Sequence, residues 1–125
     1  MVDYVDWLKE AELDLVAAEN LGQAKLYAAA CFHCQQAVEK ALKAFILFKK
    51  KTFSKTHSLR DLASQAGVLP DLRDLIAFTD ADYAMTRYLD AAGKPPRVLY
   101  DYKTFKERLS TAQEALGLIN KWISV

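Results

Sequence analysis

Several groups of residues in this chain have the types and spacing that chemistry requires. Gln35 and Glu39 stand one helical turn apart inside an otherwise apolar stripe. An amide and a carboxylate buried without partners are costly, so they need a hydrogen-bond network, a contact with a second copy of the chain, or a ligand. Gln36, Lys40 and Lys43 face another way and offer an amide and two cations, a donor set suited to phosphate. His57 follows Thr56 at the mouth of a loop just ahead of Ser58, where an imidazole either satisfies backbone groups or carries a proton. Tyr83 and Arg87 are four apart, with Tyr88 and Asp90 close behind. A guanidinium with two phenols and a carboxylate suits an Arg–Asp anchor as well as a nucleotide cradle, the fork binding phosphate and the rings stacking on a base. Cys31 and Cys34 are the only cysteines. Zinc needs about four ligands, and only His33 and His57 could add to them. A thioredoxin-like redox pair needs a preceding strand. The thiols therefore read as small buried apolar groups, with no metal or cofactor expected.

Helices must position these groups. Tyr4, Leu8, Ala11, Leu15, Ala18 and Leu21 step by four and three, which predicts an amphipathic helix ending near a turn at Gly22. From about Ala24 to Lys51 there is no Gly or Pro, and two apolar stripes run side by side: Tyr27, Cys31, Cys34, Val38, Ala41, Phe45, Phe48, and beside them Ala28, Phe32, Leu42 and Ile46. A helix apolar around most of its circumference must be covered on several sides, so this is expected to be the central helix, with surplus apolar surface left for a dimer. Lys49 to His57 reads as a loop. Ser58 then caps a short helix stopped by Gly67, and Pro70 opens another that keeps helical spacing to about Tyr88. Leu89 to Asp101, with Gly93, Pro95 and Pro96, reads as a long surface loop. The stripe Phe105, Leu109, Ala112, Leu116, Ile119 and Ile123 marks the last helix.

Length allows one domain, 1–125, and 52% hydrophobic residues supply a core for it. A net charge of +1 argues against a uniformly basic nucleic-acid binder. The charge is nevertheless uneven: residues 1 to 22 carry six acids against Lys9, whereas residues 40 to 60 carry seven cations and no acid. The basic segment either binds an anion or complements the dipole of its own helix terminus. No apolar run is long enough to span a bilayer, and Met1 leads into an acidic amphipathic segment instead of a signal peptide, so a cytoplasmic protein without membrane contact is expected.

Phe32-His33-Cys34-Gln35-Gln36-Ala37-Val38-Glu39-Lys40-Ala41-Leu42-Lys43-Ala44 resembles the FxxQQAxEKxLKA signature of HEPN domains. Thr56-His57-Ser58-Leu59 resembles the TH[SD]L motif of that family, and Tyr83 to Asp90 resembles its YxxxRYPD, with Leu89 in place of the proline. The resemblance implies an all-α, antiparallel four- to five-helix up-and-down bundle, usually a symmetric homodimer. Such domains are often encoded beside a minimal nucleotidyltransferase as a toxin and antitoxin pair. HEPN ribonucleases resemble one another in an Arg followed four to six residues later by His. Here the first arginine, Arg60, follows both histidines, so that motif does not exist. The leading expectation is an accessory protein that binds a nucleotide or RNA, or a nucleotidyltransferase partner, through Gln36, Lys40, Lys43, His57, Tyr83, Arg87 and Asp90, with no catalytic residue of its own. The rivals are a ribonuclease with a non-standard site, His57 moving a proton and Arg87 stabilising charge, and a purely structural dimerisation module.

Overall fold

The computed structural model describes residues 2–124, and among these every regular element is helical. Helix α1 (Tyr4–Gln23) begins at a reciprocal cap. The Asp3 carboxylate accepts the N–H groups of Val5 and Asp6, and the Asp6 side chain accepts the N–H of Asp3. The helix runs past the expected turn at Gly22. That glycine is buried inside it, because a Cβ there would lie 2.1 Å from the Phe105 ring, so its role is close approach between helices. The turn into α2 is made instead by Lys25, in the left-handed region at φ 63°.

Helix α2 (Tyr27–Lys50) is central. Of its 24 residues only Ala29, Lys49 and Lys50 are exposed. The expectation of surplus apolar surface on this helix is corrected: neighbouring helices of the same chain cover it. Helix α3 (Leu59–Gln65) is capped by Ser58, which accepts the Asp61 N–H. It ends at Gly67 (φ 75°) in a Schellman turn, with Gly67 N–H donating to Ser64 and Val68 N–H to Ala63.

The single helix expected from Pro70 to Tyr88 is divided into α4 (Leu69–Ile76), a 3-10 turn (Thr79–Ala81) and α5 (Asp82–Arg87). Two carboxylates hold the bend. Asp80 reaches back to accept the Leu59 N–H at 2.6 Å, and Asp82 turns inward to Tyr100 and Arg108. Such charge-assisted bonds are stronger than the main-chain bonds the break gives up. Helix α5 stops at Arg87 without a proline, since Tyr88 is already extended (φ −113°, ψ 123°). The expected loop after it contains one helical turn, α6 (Pro96–Leu99), followed by the buried Tyr100. Asp101 accepts the Thr104 N–H and so caps α7 (Tyr102–Ser124), a bond that holds its carboxyl below the usual range.

The topology is up-and-down. Helix α1 is antiparallel to α2, the broken arm α3 to α5 returns the chain, and α7 runs beside both. Gly22 meets Phe105 while Glu19 accepts from Gln113, so α7 is antiparallel to α1. Tyr27 stacks on Phe105 and Phe45 packs against Trp122, so α7 is parallel to α2. Leu42, Ile46, Leu59, Leu62, Leu72 and Ile119 fill the centre. No helix among the described residues is long and apolar enough to cross a membrane.

Candidate functional site

The apolar stripe of α2 carries Glu39 into the interior, where it is only 4% exposed, and the bundle answers with donors from three directions. Gln35 Nε2 donates to Oε1 at 3.2 Å, Lys43 Nζ approaches Oε2 at 3.2 Å, and His57 Nδ1 lies 3.2 Å from both oxygens. A carboxylate can only accept, so the His57 Nδ1 carries a proton toward Glu39 and the Nε2 edge faces away from it. Gln35 also donates to the His57 carbonyl at 3.3 Å and accepts from Gln36 Nε2 at 2.7 Å. The loop ahead of α3 is therefore tied to α2 by both the backbone and the side chain of His57. The two demanding polar groups of the stripe are satisfied within one chain, without a ligand or a second copy.

From His57 the site continues outward. Its imidazole stacks on the Tyr83 ring at 4.4 Å and 11°, and the Arg87 guanidinium lies over the same ring at 5.3 Å. His57 is half exposed (51%), and Arg87 is exposed. Beside them an open groove of about 430 Å³ is lined by His57, Ser58, Asp80 and Tyr83. The sequence-predicted residues His57, Tyr83 and Arg87 are thus brought together, with Glu39 as their anchor. An imidazole and an aromatic ring that line this groove, with an exposed guanidinium stacked on the same ring, offer contacts for a planar base and an anionic group.

The other predicted residues are placed elsewhere. Lys43 is 6% exposed, paired with Glu39 and set over the rings of Trp7 and Phe53 at 5.9 and 5.5 Å. It neutralises the anchor and does not reach solvent. Lys40 Nζ forms an ion pair with Asp14 Oδ2 at 2.7 Å, and His33 Nδ1 bonds Oδ1 of the same carboxylate at 2.8 Å, which joins α2 to α1. Gln36 belongs to the network only through Gln35. Asp90 is exposed beyond the end of α5. Much of the basic bias of residues 40 to 60 is internal as well, because Lys49 and Lys50 donate to the carbonyls of Ala66 and Gln65 at the end of α3.

A second polar cluster has no signature in the sequence. Asp82, 2% exposed, accepts from Tyr100 Oη and from Arg108 Nε, both at 2.7 Å. Burial raises its carboxyl above the ordinary value, against the pull of the Tyr100 bond and the Arg108 charge. The Tyr100 phenol is raised in turn, by burial and by its bond to that carboxylate. The thiols of Cys31 and Cys34 are free and buried; burial pushes Cys31 up to about 12 and raises Cys34 likewise. One signal for buried acids was present: Asp14 sits between Ala11 and Ala18 on the core face of α1, at a position where a stripe of that period calls for an apolar side chain. The partners of Asp82 come from distant segments and left no such mark.

Two crystal structures resemble this fold over nearly its whole length. One is TT1696 from Thermus thermophilus, 32% identical with a TM-score of 0.85, the match covering 97% of this chain and 98% of that one. The other is ST0689, an archaeal HEPN homologue, 29% identical with a TM-score of 0.84, covering 98% and 99%. No curated protein matches the chain. The HEPN domain family matches residues 4–122. With the match spanning all four arms of the bundle, the chain belongs to the HEPN domain family.

Proposed function

We propose that this HEPN protein is a nucleotide-binding accessory protein that acts as a homodimer, serves a nucleotidyltransferase partner in a toxin and antitoxin type of pair, and performs no chemistry alone. The observation that supports nucleotide binding is the stack of Arg87, Tyr83 and His57, of which His57 and Tyr83 line an open groove. Its base is fixed by a buried carboxylate and its tip is exposed, so the binding groups are held in place before a ligand arrives. A volume of about 430 Å³ lies within the range of small-molecule sites, roughly 300–1,000 Å³. The case for a dimer rests on exposed apolar side chains outside α2, with Phe78 73% and Leu89 70% exposed. Calorimetric titration of ATP into wild type and Tyr83→Ala tests the binding: saturable heat in wild type that is lost in the variant is expected, and absence of binding in wild type overturns the reading. Sedimentation equilibrium at micromolar concentration tests the dimer, which a monomer throughout that range would refute.

The Glu39–His57 pair favours a second reading. A carboxylate that fixes the tautomer of a half-exposed imidazole is also how a general acid or base is held. Cleavage of labelled single-stranded RNA by wild type that vanishes in His57→Ala would establish the ribonuclease in place of the accessory protein. Equal faint cleavage by both would identify a contaminating nuclease.

A further inference from the structure

A smaller cavity, about 180 Å³, lies at the seam of α3 and α4, walled by Leu69, Ile76 and Ala77 and edged by Arg60, Arg73 and Asp80. Ala77 and Asp80 also line the groove beside His57 and Tyr83, so the two spaces adjoin. At that size the cavity falls below the range of a whole small-molecule site and suits a single substituent of a larger ligand.

Its charges are unevenly committed. Asp80 directs both carboxylate oxygens at the backbone of α3, accepting the N–H groups of Leu59 and Arg60. Arg60 and Arg73 are both exposed, and neither forms an ion pair among the described residues, although acids stand beside them in sequence at Asp61, Asp71 and Asp74. Lys40, Lys43 and Arg108, by contrast, are each neutralised by a carboxylate. Two uncommitted forked cations over one small cavity are complementary to a phosphate group.

We infer that Arg60 and Arg73 form an anion subsite for the terminal phosphates of a nucleoside polyphosphate whose base and sugar occupy the His57–Tyr83 groove. The inference rests on the nucleotide reading for its ligand but not for its geometry. The placement accounts for the lining residues that the two spaces share and puts His57 and Tyr83 at the base end of the ligand and Arg60 and Arg73 at its phosphate end.

The test compares adenosine, AMP and ATP by calorimetric titration at low ionic strength, in wild type and in Arg60→Gln/Arg73→Gln, which keeps most of each side-chain stem. Wild type is expected to gain at least tenfold in affinity from AMP to ATP. The double variant should lose that gain while binding adenosine unchanged, which also shows that it is folded. A gain retained in the variant overturns the subsite. Should wild type bind none of the three, the groove reading fails and the subsite is judged separately with inorganic pyrophosphate in a nuclear magnetic resonance titration. Shifts at the Arg60 and Arg73 amides that disappear in the double variant then uphold it, and their absence in wild type overturns it.

Discussion

Two polar clusters flank α5, and they are built on opposite plans. Around Asp82 both oxygens are bonded, by Tyr100 and Arg108, and the carboxylate is almost wholly withdrawn from solvent. Around Glu39 the inner end is equally well satisfied, but the chain of contacts leads outward through His57 and Tyr83 to an exposed guanidinium. The first cluster is the more closed: it fastens α5 and the segment before α7 to α7, and Arg108, its partner nearest the surface, is only 15% exposed. The second is anchored at one end and open at the other. Within one small bundle, then, a buried carboxylate is not by itself a functional signal. What distinguishes a site is a partner of that carboxylate that reaches solvent with unfilled bonding capacity.

The largest effect that tests this contrast is Arg108→Ala, which strands a buried carboxylate. Removing one partner of such a pair costs about 3–5 kcal/mol, read by urea unfolding. A loss under about 1 kcal/mol would mean that Asp82 is not held as described.

Next comes pH. The Cys31 thiol beside the closed cluster has an ordinary value of 9.0 and is pushed up to about 12 in the fold. The unfolded chain therefore releases this proton first. The stabilisation is whole below about pH 9 and is lost as pH rises toward 12, by up to about 1.4 kcal/mol per pH unit. The alkaline slope of unfolding free energy should flatten in Cys31→Ala, whose stability at neutral pH is lower. An unchanged slope would show that the thiol is solvated.

At the open cluster the expectation reverses: function falls while stability holds. Arg87→Ala should weaken ATP binding about tenfold, equivalent to about 1.4 kcal/mol, and change unfolding free energy by less than about 0.5 kcal/mol, as for other exposed positions. A large loss of stability with unchanged binding would make the stack a staple like its counterpart.

The smallest effect is expected of Lys40→Ala, whose ammonium is committed to Asp14 and not to the groove. Nucleotide affinity should change less than twofold. A loss comparable to that of Arg87→Ala would return Lys40 to the binding site and require the pair with Asp14 to open.

Helical periodicity determined a good deal by itself. The stripes of α1, α2 and α7 are local patterns, and burial of a helix face follows from its period whatever lies opposite. The caps at Ser58 and Gly67 were legible for the same reason, since a cap depends on residues within one turn. The motif residues gave the family resemblance and pointed to His57, Tyr83 and Arg87. Only the tertiary structure decided how polar groups pair, because a side chain's partner is set by which helix packs beside it. Lys40 and Lys43 look alike on one helix face, yet three residues of rotation send one to Asp14 and the other to Glu39. Gly22 read as a turn because glycine often makes one; its true constraint, the Phe105 ring, lies 83 residues away. The break at Thr79 was hidden for the same physical reason, as the period continues through it, while the bonds that bend the chain end on Leu59, Tyr100 and Arg108 in other elements.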